Sequence, residues 1–217
     1  MSLIVKNKDL TVDFDSYIAE RTLSNPKKKT IKESIPLSNV TYDFSDIDGE
    51  IYFEERDLTY TIDIAETSTE AMEEKRASLF EWLAFVQNED IYDPYFEGFH
   101  FRGSFDSDSW SEDFGAGELE VTFKVYPYKI ADFATSETFD LVSGENTISI
   151  DNVSSHPIVP TFNASASMNV TIGGRTFALA SGESSSPSIK LAKGSNALVV
   201  NASEAGTLTI SYIAEVL

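Results

Sequence analysis

The chain contains no cysteine. That one absence removes disulfides, thiolate metal sites and thiol nucleophiles, and it fits any redox compartment. Histidine is nearly absent as well, with only His100 and His156. No H-E-x-x-H, G-x-S-x-G, G-x-G-x-x-G or P-loop pattern occurs. The common zinc, esterase, dinucleotide and phosphate-loop chemistries therefore lack their residues. His100 falls on the polar side of a strand and His156 precedes Pro157 in a turn, so neither is expected to be catalytic. Basic residues are scarce: 16 against 36 acidic, a formal net charge of −20. Such a chain repels phosphate backbones and anionic bilayers, and nucleic-acid binding by simple electrostatics is not expected. Apolar runs stay short, as at Leu83–Val86 and Ala197–Val200, and none could span a bilayer. The opening MSLIVKNKDL has no apolar core of signal-peptide type. The N-x-S/T sequons at Asn39, Asn152, Asn163, Asn169 and Asn201 accordingly read as strand and turn chemistry rather than glycan sites.

What is present suffices for real cores, since 41% of residues are hydrophobic. The strongest local signal is Thr67–Asn88, TSTEAMEEKRASLFEWLAFVQN. Thr67 and Glu70 fit a capping box, and Glu70, Glu73 and Glu74 place negative charge at the positive end of a helix dipole. Met72, Leu79, Leu83 and Val86 recur at helical spacing and define one apolar stripe. Trp82 and Phe85 fall off that stripe. They are expected to widen the apolar surface beyond what one sheet covers, which marks them as candidate assembly residues.

Ahead of the helix, Leu10, Val12 and Phe14 alternate with polar residues as a strand does. Residues 24–34, SNPKKKTIKES, break that pattern. This is a basic loop or arm, and in so acidic a chain Lys27, Lys28, Lys29 and Lys32 are candidates for contact with an acidic neighbour. Ser24 and Lys27 match S-x-x-K without any companion motif. Leu58, Tyr60, Ile62 and Ile64 alternate with polar residues, giving a strand with one buried face. Asp48-Gly49 is a turn signal. Asp46, Asp48, Gly49, Ile51 and Glu55 fit part of an EF-hand register, but Phe44 stands where the leading ligand belongs, so no metal is expected.

After the helix, Phe99, Phe101, Gly103 and Phe105 read as an aromatic strand. Residues 106–113, DSDSWSED, read as an acidic loop without the spacing of a calcium site. Leu119, Val121, Phe123 and Val125 alternate as a further strand, stopped by Pro127. The composition then changes. Up to residue 132 there are 13 basic and 29 acidic residues, and beyond it 3 and 7. Short strands are predicted at 147–150, 159–162, 169–172, 176–179, 188–191, 197–201 and 207–213, with Gly173-Gly174 as a two-residue hairpin turn. That spacing argues a β-sandwich. The chain is therefore expected to be mainly β and two-domain. Residues 1–132 would form a β-sandwich-like domain with one helix, and residues 133–217 a small β-sandwich. The carboxylates could supply a glycosidase pair, but no spacing selects two of them.

The ordered run resembles a known family. It comprises the basic Pro-containing arm, IPLSNVTYDFS, the LTYTIDI strand, one amphipathic helix, an aromatic strand and a strand ending VYPYKI. In the second part GENTISIDN, the P-T-F run, KLAKGSNALVV and TISYIAEV add to it. Together these resemble the distal tail protein (Dit) family of long-tailed, non-contractile bacteriophages, over essentially the whole chain. The resemblance implies a galectin-like, jelly-roll-like C-terminal module and no catalytic or cofactor residues. It also implies a hexameric ring at the tail tip, in the virion and assembled in the bacterial cytoplasm, joining the tail tube to the host-adhesion proteins. The C-terminal part has no Trp, so a working sugar site is not expected. The competing readings are a free-standing carbohydrate-binding protein built on that sandwich and a wall hydrolase.

The stripe assignment makes a direct prediction. Leu83→Asp unfolds the first domain, because a buried leucine contributes about 2 kcal/mol and an unpaired buried charge costs more. Thermal denaturation checks it: an unchanged melt places Leu83 on the surface.

Overall fold

A computed structural model describes residues 2–37, 39–46, 49–113 and 116–217. The chain divides into two compact units, Met1–Lys129 and Ile130–Leu217, and it is mainly β, as expected.

The first unit opens with the two-residue strands β1 (Ile4–Val5) and β2 (Lys8–Asp9), followed by a short helix α1 (Leu10–Phe14). The expected strand at Leu10, Val12 and Phe14 is thus corrected to a helix. The cause is its cap. The Asp9 carboxylate accepts the free Thr11 and Val12 N–H groups, and Asp15 closes the turn in the left-handed region at φ 45. Both ends of a five-residue helix are satisfied locally, and the apolar alternation is incidental. Strand β3 (Tyr17–Leu23) follows, then the short strands β4 (Lys32–Ser34) and β5 (Thr41–Asp43), then β6 (Arg56–Ala65).

Helix α2 (Thr69–Ala84) forms inside the predicted span. Its cap is Ser68 rather than Thr67: the Ser68 hydroxyl accepts the Ala71 N–H at 3.2 Å, and Ala71 has no side-chain acceptor to complete the expected capping box. The helix stops at Ala84, and Asn88, at φ 53, turns the chain into β7 (Glu89–Tyr92). Strand β8 then runs from Phe99 to Asp113 and β9 from Ala116 to Val125. Residues 106–113, expected as a loop, are strand. Apart from Trp110, which packs against the core, their side chains are polar on both faces, which hides a strand from periodicity, but their backbone is held in register by β9, with Trp110 opposite Leu119 and Ser111 opposite Glu118.

These strands make one antiparallel sheet in the order β3-β6-β9-β8-β7-β1-β2. Its inner face presents Leu58, Tyr60, Ile62 and Ile64 from β6 and Leu119, Val121, Phe123 and Val125 from β9, all buried with Met72, Leu79 and Leu83 of α2. Val86 joins this core from just beyond the helix end.

The second unit is built on β10 (Lys129–Leu141), β11 (Gly144–Asn152), β12 (Thr161–Ala164), β13 (Met168–Ile172), β14 (Arg175–Leu179), β15 (Gly182–Ser185), β16 (Gly194–Ala202) and β17 (Gly206–Val216). One sheet has the order β11-β16-β13-β14 and the other includes β15-β12-β17-β10. Leu198, Val200, Phe162, Leu208 and Ile210 fill the core between them. Gly173 and Gly174 form the β13–β14 turn at φ 55 and 77, the pair of positive values a tight two-residue hairpin requires. The expected strand at 188–191 is corrected: Leu191 makes only an isolated bridge to Ile158, and β15 takes the edge. The long β10 was not anticipated, because most of its residues are exposed and show no alternation.

Two tests follow from this fold. A Cβ at Gly103 would lie 2.4 Å from the Lys124 carbonyl oxygen and 2.9 Å from the Val125 Cα. Gly103→Ala is therefore expected to lose about 1–3 kcal/mol of stability by overpacking, read by denaturant unfolding. Hydrogen bonds from the Ser2 hydroxyl first, then the Val12 and Thr11 N–H groups, hold the Asp9 carboxyl below its ordinary pKa. A lowered carboxyl stabilises the fold above its unfolded value, about 3.9, and loses that contribution as pH falls through the folded value. The stability advantage of the native chain over Asp9→Asn is expected to shrink on acidification below about pH 4, measured by melting at stepped pH.

Candidate assembly site

After β3 the chain leaves the sheet, and it returns at the start of β6. The described residues between them form a backbone-paired arm. The Glu54 N–H donates to the Lys27 carbonyl and the Lys29 N–H to the Tyr52 carbonyl, both at 2.8 Å. Farther out, β4 pairs with β5, Lys32 opposite Asp43 and Ser34 opposite Thr41. The Phe44 N–H closes the ladder on the Ile31 carbonyl at 2.8 Å, and the Ser45 hydroxyl accepts the Ile31 N–H at 2.9 Å.

Strand alternation then sorts the side chains. Ile31, Tyr42 and Phe44 share one face of the ribbon with Glu33, which lies opposite Tyr42, and Ile35 and Val40 follow just past its ladder. The five apolar residues are between 41% and 50% exposed, with the Tyr42 and Phe44 rings stacked at 6.3 Å. The opposite face is polar and carries the Lys32–Asp43 pair at 3.7 Å. The Asp43 carboxyl is held low by the Ser45 hydroxyl first, then the Ser45 N–H and the charges of Lys32 and Lys28. Lys27, Lys28 and Lys29 have exposed side chains. Sequence reasoning selected the lysines and missed the apolar face, although Val40, Tyr42 and Phe44 alternate in the sequence. Alternation of that kind normally means burial, and here it marks a face left open.

The helical candidates separate. Trp82 is only 6% exposed. Its indole N–H donates to the Val5 carbonyl at 3.0 Å, and its ring stacks on Phe14 at 4.7 Å. It belongs to the core because α1 and β1 cover it, and those elements were not legible as such. Phe85 caps the helix and is 70% exposed. Between them opens a groove of about 670 Å³ lined by Lys6, Lys8, Asp13, Phe14, Ser78, Glu81, Trp82 and Phe85.

The outward face of the same sheet is acidic. Glu20 and Glu120 flank Thr61, and Glu118 lies opposite Asp63, while Thr59 and Thr122 share a hydrogen bond at 2.9 Å. Lys124 on this face is tied to Asp57.

Both histidines sit in structural settings. His100 is buried rather than on a polar face, because the Tyr92 ring covers it at 4.9 Å. The His156 Nε2 lies 2.8 Å from a Glu215 carboxylate oxygen. Among the described residues no group of three or more histidine, aspartate or glutamate side chains is placed to hold a metal ion. The EF-hand register runs through Asp48, which lies outside the described residues. The second unit has a cavity of about 390 Å³ lined by Phe162, Phe177, Leu179, Ser184 and Ile189 among others.

No protein-family description matches the sequence, and no curated protein does. Among solved structures, the chain is similar to the SPP1 Dit protein (gp 19.1), described as a paradigm of the hub adsorption apparatus in phages that infect Gram-positive bacteria. The likeness covers 98% of each chain at 13% identity with a TM-score of 0.68. A Drosophila melanogaster CENP-C cupin domain also matches, over 68% of this chain and 100% of its own, at 11% identity. Its TM-score of 0.22 is too low to bear on the architecture. From β1 to β17, then, the chain has the mainly β fold of a distal tail protein.

Proposed function

We propose that the chain is a structural subunit of a bacteriophage tail tip, whose copies close into a hexameric ring joining the tail tube to the host-adhesion proteins. The observation that carries this reading is the likeness to a phage hub protein over 98% of both chains. A likeness to one unit alone would be compatible with a shared module; a likeness from end to end favours a shared role. The protein acts by binding neighbours rather than by catalysis, in the virion after assembly in the bacterial cytoplasm.

The two units take different tasks. The ring forms from the first unit, extending through residue 132, where the basic arm and Phe85 are the candidate contacts. The arm supports this. A two-stranded ribbon alone is marginally stable in water, and one with half-exposed apolar side chains gains by docking. The acidic outward face of the first unit, with Glu20, Asp63, Glu118 and Glu120, suits the lining of a bore that passes DNA without holding it. Every phosphate neutralised by a lysine would release counterions and add affinity, and carboxylates avoid that. The second unit, weakly charged, suits contact with partner proteins.

Light scattering over a concentration series tests the assembly. The 24.0 kDa chain is expected to form one defined oligomer as concentration rises, seen as rings by electron microscopy. A single-subunit mass at every concentration, in low salt as in high, overturns the reading. For the bore, the assembled ring is expected not to retain double-stranded DNA at physiological salt; retention removes the channel role.

A further inference from the structure

We infer that the apolar face of the arm and the aromatic groove beside α2 are the two halves of one contact, made between successive copies of this chain. The inference rests on the ring-forming reading above and specifies which surfaces meet.

Both halves are open in the single chain, and they match. The arm offers Ile31, Tyr42 and Phe44 on one face of a narrow ribbon, with Glu33 beside Tyr42 as the one charge among them. The groove offers a floor made by the Phe14–Trp82 stack and a wall made by Phe85. Its volume of about 670 Å³ falls in the range, roughly 300–1,000 Å³, of pockets that bury a drug-sized molecule, so a pair of aromatic side chains fits. A core-like floor with one exposed ring beside it is the arrangement that yields a central anchor in protein interfaces.

Charge complements this apolar match. Lys27, Lys28 and Lys29 line the root of the arm. Helix α2, which forms one side of the groove, exposes Glu70, Glu74 and Glu81, while its Glu73 is already engaged by Arg76 at 3.3 Å. The groove's own Lys6 is held by the Phe85 carbonyl and Glu89, and its Lys8 lies over the Phe14 ring. The lysines at the root of the arm and the carboxylates of α2 are thus patches of opposite sign, and arm root against helix sets them face to face. Two different surfaces that complement each other on one chain give a head-to-tail contact, and a head-to-tail contact generates a ring when its rotation closes. A two-fold dimer would require one surface that complements itself.

Because the chain has no cysteine, engineered thiols report this contact without background. Tyr42→Cys and Phe85→Cys are made as separate variants and mixed under mild oxidation. A disulfide-linked dimer is expected from the mixture and from neither variant alone. Homodimers of Tyr42→Cys, or continued association by light scattering with no cross-link in the mixture, overturn the inference while leaving ring formation standing. If the native chain never associates, both readings fail. Charge reversal is the second arm of the test. Changing Lys27, Lys28 and Lys29 together to Glu is expected to weaken association by tenfold or more with the melting temperature unchanged, and changing Glu70, Glu74 and Glu81 to Lys on the same chain restores it. Loss without rescue, or no loss, refutes the pairing.

Discussion

The first unit depends on one constraint: the inner face of its sheet must be kept dry by a single helix. Tyr60, Ile62, Val121 and Phe123 are carried by two central strands, and α2 brings Met72, Leu79 and Leu83 to them. One helix is too narrow to seal seven strands. The remainder is closed by small pieces, namely Leu3 and Val5 around β1, Leu10 on α1 and Val86 past the helix end. The Trp82 N–H bond to the Val5 carbonyl joins these pieces to the helix. It also satisfies a polar group that would otherwise be buried without a partner. The acidic outer face and the arm can be given over to other tasks because this side alone supplies the core.

The parts of the fold that were legible are those where burial and periodicity coincide. Strands β6 and β9 alternate cleanly because one face packs and the other meets water. The helix stripe was readable for the same reason, and Gly173-Gly174 because only glycine adopts such a turn freely. Elsewhere the two signals part. Leu10, Val12 and Phe14 imitate a strand, yet the capping Asp9 immediately before them decides for a helix, and Val12 is left exposed. The outer half of β8 carries no apolar alternation at all, because its register is imposed by β9 rather than by burial. His100 was misplaced because its cover is Tyr92, from a strand whose position depends on the whole sheet.

The candidate site shows the same split. Composition alone singled out the lysines, since a basic run stands out in an acidic chain. It could not tell Trp82 from Phe85, which are three residues apart and both lie off the stripe. Only the N-terminal segment separates them, by covering one ring and leaving the other bare. The apolar residues of the arm were invisible for the opposite reason. Their pattern is that of an ordinary half-buried strand, and nothing local says that the burying surface is missing.

That missing cover bears on the order of events as well as on affinity. A ribbon held by a few backbone hydrogen bonds, with five half-exposed apolar side chains, would give up chain entropy on docking under the proposed assembly. Single contacts in solution would thereby be weakened and reversible. On a preformed template that presents several docking points at once, the local concentration of partners rises and the same weak contact becomes sufficient. Under the proposed assembly an arm of this kind would set timing as well as affinity: subunits would associate reversibly in solution and become committed where several docking points are presented together.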